Sequence, residues 1–282
     1  MRALITGARG LLGRYLIEAI ARSGEHEIFA VTRAIPSRQF EVRCDLADRA
    51  SASALLAKVR PNAIFHLAGS FSNNFEDDLR NNVVAAKNLL EAMIEYAAAA
   101  RVVVAGSAAE YGMVDEESNP VREEYRAEPV SVYGLTKLYQ TELCMYYARM
   151  KGVDAVVARL FNISGQGASE NLFIGRVERQ IAAYLAGKTK FIVVGNLDAY
   201  RDYISANETA QALIKLMKFG SAGEIYNVGS GVPVQLKELL KRLLGEAGVE
   251  WSAVRTDPTR GEGKRDVPII YADVSKLRSL GA

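Results

Sequence analysis

The sequence predicts an α/β fold in which a parallel sheet is covered by helices on both faces. Two observations support this prediction. Short apolar segments alternate with helical segments up to about residue 163, and the first apolar segment runs into a glycine-rich turn that opens a helix. Apolar runs without polar alternation are typical of strands that are buried on both faces. Their regular alternation with helices indicates a doubly wound sheet.

The glycine-rich turn follows the predicted strand at 2–6 and precedes an apolar helical period that begins at Leu11. Its glycines are Gly7, Gly10 and Gly13, with the spacing G-x-x-G-x-x-G. A strand, a glycine turn and a helix in this order let backbone N–H groups at a helix N-terminus approach a pyrophosphate. The motif therefore predicts a Rossmann-type sheet that binds a dinucleotide.

The remaining elements divide the chain into two parts. Further strands are predicted at 27–33, 40–46, 63–69, 101–106 and 153–160, and helices at 51–60, 81–100 and 131–151. From about Ser164 onward the alternation fades. We therefore expect a dinucleotide-binding domain at 1–163. Residues 164–282 are expected to form mainly a small substrate-binding cap, with some elements returning to the main sheet.

Composition excludes several classes of function. The 282 residues have a formal net charge of +2, which does not favour nucleic acid or an anionic membrane surface as a partner. No apolar run reaches membrane-spanning length, and the first residues predict a strand rather than a signal peptide, so a cytoplasmic protein is expected. Cys44 and Cys144 are expected to be buried and reduced. With two histidines and no Cys/His cluster of ligand spacing, a metal site is not expected.

The end of the second predicted strand indicates which dinucleotide is bound. It reads Thr32-Arg33, with Arg38 close behind and no carboxylate. A carboxylate at this place would bind the ribose hydroxyls of NAD, whereas a guanidinium offers forked, charged donors to the 2′-phosphate of NADP. NADP is therefore the expected cofactor and NAD the alternative. A solvated surface arginine remains the other interpretation of Arg33.

Three residues indicate chemistry at the carboxyl ends of the strands. Ser107 directly follows the predicted strand at 101–106, where such sheets bind their ligands. Tyr133 and Lys137 are four positions apart in a predicted helix and so lie on the same helix face. Both could be ordinary amphipathic surface residues, but they occur downstream of a dinucleotide turn and a strand-end serine.

These motifs together resemble those of the extended short-chain dehydrogenases/reductases, the NAD-dependent epimerase/dehydratase family. The resemblance covers nearly the whole chain. Within the family, the segments at 106–112, 195–202 and 265–268 are most similar to GDP-4-keto-6-deoxy-mannose reductases. Two departures are visible: Gly165-Gln166-Gly167 replaces a glycine-proline step, and the chain ends at Ala282, before the closing helix of its relatives.

The resemblance implies a role for each candidate residue. Ser107, Tyr133 and Lys137 would be catalytic, with Tyr133 as the proton donor. Cofactor binding would involve Gly7, Arg9, Gly10, Leu11, Leu12, Gly13, Arg33, Asp45, Leu46, Leu67, Ala68, Gly69, Asn82, Tyr133, Lys137 and Leu160. Substrate binding would involve Ser107, Asn162, Arg176, Arg201 and Asp266.

The expected activity is NADPH-dependent reduction of a nucleotide-linked 4-keto-6-deoxy-hexose, with the base of the nucleotide left open. A 4,6-dehydratase would need an acid/base carboxylate where this chain has Ala108 and Ala109, and Glu110 is one residue out of register. A 4-epimerase that retains NAD is the alternative, and a non-catalytic dinucleotide sensor is a further one. The resemblance also implies a homodimer formed by the helices that contain Tyr133 and Asn82.

Overall fold

The computed structural model describes residues 1–24, 26–257 and 267–281. In chain order its strands are β1 (Arg2–Thr6), β2 (Glu27–Thr32), β3 (Glu41–Arg43), β4 (Ala63–His66), β5 (Arg101–Ser107), β6 (Asp154–Leu160), β7 (Asn162–Ser164), β8 (Ile192–Val194), β9 (Tyr200–Ser205), β10 (Ile225–Val228), β11 (Pro233–Gln235), β12 (Val254–Thr256) and β13 (Ile269–Ile270). Seven of these strands form one parallel sheet in the order β10-β6-β5-β4-β1-β2-β3. The predicted α/β class with a doubly wound parallel sheet is confirmed.

The helices are α1 (Leu11–Arg22), α2 (Arg49–Val59), α3 (Phe75–Asp78), α4 (Ala85–Tyr96), α5 (Val132–Lys151), α6 (Phe173–Leu185), α7 (Ala206–Phe219), α8 (Leu236–Glu246) and α9 (Ser275–Arg278). Helices α2, α4 and α5 bury Leu56, Leu89 and Met145 against one face of the large sheet. Helices α1 and α7 bury Leu16 and Leu213 against the other face. None of the helices in the described ranges is both long enough and apolar enough to span a membrane.

The strand order reverses between β1 and β4. From β1 the sheet continues through β2 to β3, and from β4 it continues through β5 and β6 to β10. The connections that leave β1 and β4 therefore go to opposite faces, and their carboxyl ends separate. Doubly wound sheets bind ligands at this position.

The later part of the chain forms smaller sheets beside that position. β9 pairs with β11, β13 and β7, and β8 pairs with β12. Helices α6 and α8 cover them with Ile181 and Leu240. By contrast, α7 packs on the large sheet and β10 extends it. The boundary at 163/164 remains a prediction.

One helical region differs from its prediction at 81–100. Helix α3 already begins after Asn74, whose side chain accepts a hydrogen bond from the backbone N–H of Asp77 at 3.1 Å. The turn Leu79–Val84 is π-helical, and α4 ends at Tyr96. A π-helical turn is a wide turn that is often found at functional sites.

Candidate active site

A cleft of about 600 Å³ lies at the carboxyl ends of the strands of the large sheet. This volume lies within the range that small-molecule sites usually have. The sequence-predicted residues that line it are Gly7, Gly10, Leu11, Leu12, Gly13, Leu67, Gly69, Ser107, Tyr133, Lys137, Leu160, Asn162 and Arg201. The structure thus brings most of the predicted cofactor and substrate residues to one cleft.

The glycine turn is packed too closely for side chains at two of its positions. Gly7 has a φ of +66°, and a Cβ there would lie 2.7 Å from the backbone of Leu67. A Cβ at Gly13 would lie 2.5 Å from the carbonyl oxygen of Gly7. α1 begins after Gly10, which forms no side-chain cap, and its first residues line the cleft. Because unpaired N–H groups at a helix N-terminus bind phosphate, this turn fits NAD(P).

The residues after β4 form the part of the cleft wall that adjoins the glycine turn. A Cβ at Gly69 would lie 2.8 Å from Oδ1 of Asn82. That oxygen accepts a hydrogen bond from the Ser70 N–H at 2.8 Å, while Nδ2 of Asn82 donates to the Ser70 carbonyl and to Thr136. Asn82 is fully buried and does not line the cleft. It holds the wall in place instead of facing a ligand.

His66, at the end of β4, is a neutral core histidine. Oγ1 of Thr6 accepts a hydrogen bond from the Ala68 N–H and shares a second hydrogen bond with Nδ1 of His66 at 2.9 Å. Burial and the nearby Lys137 lower the pKa of His66 to about 3. His66 therefore has no role as an acid near neutral pH.

Tyr133 and Lys137 occupy the first turns of α5. Ser131 caps this helix by accepting the N–H of Gly134 at 3.0 Å, which fixes where the helix begins. Burial raises the pKa of Tyr133, and a hydrogen bond with the Ser107 side chain opposes the rise. The phenol consequently retains its proton at neutral pH.

Lys137 is buried beneath Tyr133. Its Nζ donates to the Ala105 carbonyl at the end of β5 and to Oε1 of Gln140 at 2.5 Å. Burial lowers the pKa of Lys137 to about 8, and the carboxylate of Glu110 opposes this. The ammonium form is therefore retained near neutral pH but is lost within the alkaline range.

Ser107 ends β5 and caps the short 3₁₀ turn Ala108–Glu110. Its Oγ accepts the Ala109 N–H at 3.2 Å, which leaves the hydroxyl hydrogen free to be donated. Ala108 and Ala109 line the cleft, whereas Glu110 is fully buried behind it. The turn thus directs two methyl groups at the cleft and the carboxylate away from it.

At the end of β2, Arg33 does not line the cleft. Its Nη1 donates to Oδ1 of Asn81 at 3.1 Å. Close by, Asp45 forms an ion pair with Arg80 at 2.6 Å, and Arg80 also attracts the carboxylate of Asp48. Nε of Arg43 donates to the Arg33 carbonyl at 3.3 Å, so three arginines face two carboxylates. Leu46 is buried in the core beneath this group. The structure therefore leaves a cationic site at this strand end.

Arg9, another predicted cofactor residue, is already paired. Its Nη2 lies 2.7 Å from Oε2 of Glu41, and its Nε lies 3.0 Å from Oε1. It also donates to the Ile35 carbonyl and to the Ser37 hydroxyl. Arg9 therefore fastens the loop between β2 and β3 to the glycine turn.

At the substrate end, Asn162 and Arg201 line the cleft. Nδ2 of Asn162 donates to the Asp202 carbonyl at 3.1 Å, which places the side chain between β7 and β9. Arg176 is exposed on α6, donates to the Asn171 carbonyl and does not line the cleft. Asp266 lies outside the described residues.

Sequence reasoning did not identify Phe71. The centroid of its ring lies 4.8 Å from the ring centroid of Tyr133, in an edge-to-face arrangement, and Phe71 lines the cleft. The loop that carries it is folded around Asp78, whose Oδ1 accepts the hydroxyls of Ser70 at 2.7 Å and Ser72 at 2.8 Å. An aromatic residue in a polar loop just after a strand end was the available signal.

Known proteins resemble this chain in sequence and structure. A model described as the NAD dependent epimerase/dehydratase family matches residues 3–229. GDP-6-deoxy-D-mannose reductase from Pseudomonas aeruginosa is 31% identical over 92% of this chain and 84% of that protein. The structure of RMD from Pseudomonas aeruginosa complexed with NADPH superposes with a TM-score of 0.84, at 26% identity over 98% of this chain and 91% of the other.

A second solved structure shows a sugar nucleotide on the same fold. MoeE5 in complex with UDP-glucuronic acid and NAD has a TM-score of 0.83 and 28% identity, over 99% of this chain and 92% of that chain. The family resemblance seen in the sequence is confirmed by the match to most of the chain. This protein belongs to the NAD dependent epimerase/dehydratase family and is an NAD(P)-dependent enzyme that modifies sugar nucleotides.

Proposed function

We propose that this enzyme uses NADPH to reduce the keto group of a nucleotide-linked 4-keto-6-deoxy-hexose. The observation that supports this most strongly is the group of Ser107, Tyr133 and Lys137 on one cleft, next to the methyl groups of Ala108 and Ala109. The first three supply what carbonyl reduction needs. The two alanines occupy the positions of the additional acid/base group that a dehydratase needs, and no carboxylate is among the described residues that line the cleft.

Three residues of the chain donate the proton and stabilise the negative charge that develops during the reduction. NADPH, when bound, supplies the hydride to the carbonyl carbon. Tyr133 donates its proton to the carbonyl oxygen, and Ser107 donates a hydrogen bond to the same oxygen as negative charge develops there. The ammonium of Lys137 stabilises the phenolate that remains, until Tyr133 is reprotonated from solvent. One ketone, one hydride and one proton give one alcohol.

The proposed preference for NADPH rests on Arg33. Its guanidinium lies at the end of β2 with those of Arg43 and Arg80, and the carboxylates nearby are Asp45 and Asp48. Excess positive charge at this place favours a ribose 2′-phosphate. The similar RMD structure contains NADPH, whereas MoeE5 contains NAD, so NAD remains the alternative.

For the substrate, we assign Asn162 to the sugar near its diphosphate and Arg201 to the diphosphate itself. Both line the cleft on the side of the smaller sheets. A guanidinium offers forked donors that suit phosphate oxygens. Arg176 and Asp266 remain predictions for the nucleotide end of the substrate.

We also propose a homodimer through the outer faces of α4 and α5. Tyr139, Tyr146 and Met150 of α5 are exposed and lie on one face at helical spacing, and Ile94 of the adjoining helix α4 is exposed as well. The exposed fraction of the Met150 side chain, 67%, is unusual for an apolar residue with no partner. An apolar stripe that spans two adjacent helices is suited to a two-fold interface.

The cytoplasm is the proposed compartment. Cys44 and Cys144 are both buried and unpaired. Free buried thiols agree with a reducing environment, in which NADPH is also the usual reductant.

A spectrophotometric assay tests the reaction. NADPH oxidation should occur in stoichiometric amounts with a GDP- or dTDP-linked 4-keto-6-deoxy-hexose, and GDP-mannose should give no 4-keto product. Protein that purifies with one tightly held NAD and interconverts C4 epimers without consuming cofactor would support the alternative, a 4-epimerase. The residues present are sufficient for that reaction if the keto sugar can rotate in the cleft.

A further inference from the structure

We propose that Glu110 is a positioning residue of the active site, which fixes the turn after Ser107 and keeps Lys137 in its ammonium form. This inference rests on the proposed roles of Ser107, Tyr133 and Lys137. Glu110 does not line the cleft and touches no reacting atom. It acts through its neighbours from beneath the site.

The end of β5 is shaped to admit this carboxylate. The side chain of Glu110 is fully buried, and a Cβ at Gly106 would lie 2.8 Å from its Oε1. Any other residue at Gly106 would therefore displace it. A buried carboxylate is costly unless it has hydrogen bonds and a counter-charge. Glu110 has both.

The two oxygens of Glu110 have different partners. Oε1 accepts the backbone N–H of Ser107 at 2.7 Å, and Oε2 accepts Nε of Arg159 at 3.0 Å. The first bond orients the turn in which Ser107 presents its hydroxyl. The second joins this turn to β6, so that one side chain connects the site to the core of the sheet.

The guanidinium of Arg159, which is the counter-charge of Glu110, is also fixed by its neighbours. The guanidinium of Arg159 is buried, lies 4.5 Å from the ring centroid of Tyr111 and donates to the carbonyl of Glu123. The hydroxyl of Tyr111 in turn donates to Oδ1 of Asn227 at 2.7 Å. Burial raises the pKa of Glu110, and the Arg159 guanidinium and the Ser107 N–H oppose this rise. The charge of the carboxylate therefore depends on these fixed partners.

Glu110 and Lys137 both contact the end of β5: Nζ of Lys137 donates to the Ala105 carbonyl, and Oε1 of Glu110 accepts the Ser107 N–H two residues later. Among the described residues that act electrostatically on Lys137, Glu110 is the one that carries a negative charge. His66 on β4 and Cys144 on α5 both act electrostatically with Lys137, but both are neutral, since burial lowers the pKa of His66 to about 3 and raises that of Cys144 to about 12. Burial raises the pKa of Tyr133 as well, so it is neutral before it reacts. Across these neighbours, Glu110 opposes the loss of the ammonium proton.

The variant Glu110→Gln tests the inference. An amide keeps the shape but has one acceptor oxygen, so it cannot satisfy both the Ser107 N–H and Arg159. It also has no charge. We expect kcat at neutral pH to fall about tenfold and the alkaline limb of the pH–rate profile to move about one unit lower, because Lys137 then loses its proton more readily.

Tyr111→Phe is the matched control. It removes hydrogen bonds from the same buried network but no charge, and the ring beside Arg159 remains. This variant should unfold at lower denaturant concentration and keep the wild-type pH profile. If Glu110→Gln also keeps the wild-type profile, Glu110 is merely structural and the inference is wrong.

Two further measurements keep the test decisive. If Glu110→Gln does not fold because Arg159 loses its partner, Glu110→Gln with Arg159→Met removes both charges and should show the same alkaline shift. The pH dependence of NADPH affinity, measured by fluorescence, needs no sugar, because the family resemblance also places Lys137 among the cofactor-binding residues. A protein that reduces no keto sugar contradicts the proposed function, yet an earlier alkaline loss of NADPH affinity in Glu110→Gln would still support this inference.

Discussion

Tyr133 has the positioned proton on which the proposed reduction depends. Tyr133→Phe should lower turnover by about a hundred- to ten-thousand-fold, the usual cost of losing a general acid, while NADPH affinity stays close to that of the wild type. Steady-state kinetics would measure turnover, and a fluorescence titration would measure NADPH affinity. Tyr139→Phe, on an exposed face of the same helix, is the control and should change neither. A Tyr133→Phe protein with more than a tenth of wild-type turnover would contradict the assignment.

Arg33 determines the cofactor preference in our proposal. Wild-type protein should bind NADPH more tightly than NADH, and Arg33→Asp should abolish or reverse the preference, because it exchanges a phosphate partner for a ribose-hydroxyl acceptor with repulsive charge. Titration of both cofactors into both proteins measures this. Arg22→Asp makes the same change of charge at an exposed site on α1 and should leave the preference intact. An unaltered preference in Arg33→Asp would count against Arg33.

The loop between β4 and α3 is the element that we expect to govern access of the sugar. Asp78 is fully buried and also accepts the backbone N–H groups of Ser72 at 3.0 Å and Asn73 at 3.1 Å. Asp78→Ala removes these acceptors, so Phe71 should lose its fixed position against Tyr133. We expect KM for the sugar nucleotide to rise about tenfold, since the loop positions the substrate, with a smaller change in kcat, since Asp78 makes the smallest of the contributions that shift the pKa of Tyr133.

The neighbouring acid provides the control for this loop. Asp77 is exposed, and its contacts within the loop are made by its backbone, so Asp77→Ala should behave as wild type. Steady-state kinetics of both variants decide the matter. Equal KM values in Asp78→Ala and Asp77→Ala would show that the loop does not govern substrate binding.

The same elements show how far the sequence could predict the site. Gly7 and Gly13 were predictable because a short local pattern places a strand, a turn and a helix in contact. Tyr133 and Lys137 were predictable because helical spacing alone puts them on one face. The orientation of the Glu110 side chain was not predictable. It depends on a 3₁₀ turn, whereas the comparison of positions in the sequence assumes that the segment continues as a strand. The ion pair with Arg159 joins residues that are far apart in sequence.

Helix α3 was missed although its signal was present. Asn74 is a favourable helix cap, and Glu76, Asp77 and Asp78 place negative charge in the first turn. The π-helical turn that follows allows Asn82 to face inward, towards Ser70 and Thr136. A pattern based on the ordinary helical period does not contain that extra residue.

At the scale of the whole molecule, the two parts of the chain meet at the cleft. β7 and β9 pair directly after β6 leaves the large sheet. On the other side, Nη2 of Arg14 on α1 donates to the carbonyl of Gln166 at 3.2 Å. These contacts fix the glycine turn and Arg201 relative to each other. A cofactor bound by the turn and a substrate bound by Arg201 would therefore have their reacting atoms positioned between the two sites.

The proposed dimer would bury the apolar stripe of α5 against a second copy of the chain. Tyr146→Glu with Met150→Glu places two charges on the apolar stripe, and burying them against a second copy would be strongly unfavourable. We expect the wild-type protein to sediment as a dimer and the double variant as a monomer.

Leu185→Glu changes an apolar residue of α6 with an exposed fraction of 60%, away from the stripe, and should remain dimeric. Since α5 also contains Tyr133 and Lys137, the monomeric variant should lose thermal stability and part of its turnover together. A wild-type monomer at micromolar concentration, or a double variant that still dimerises, would show that this stripe is not the interface.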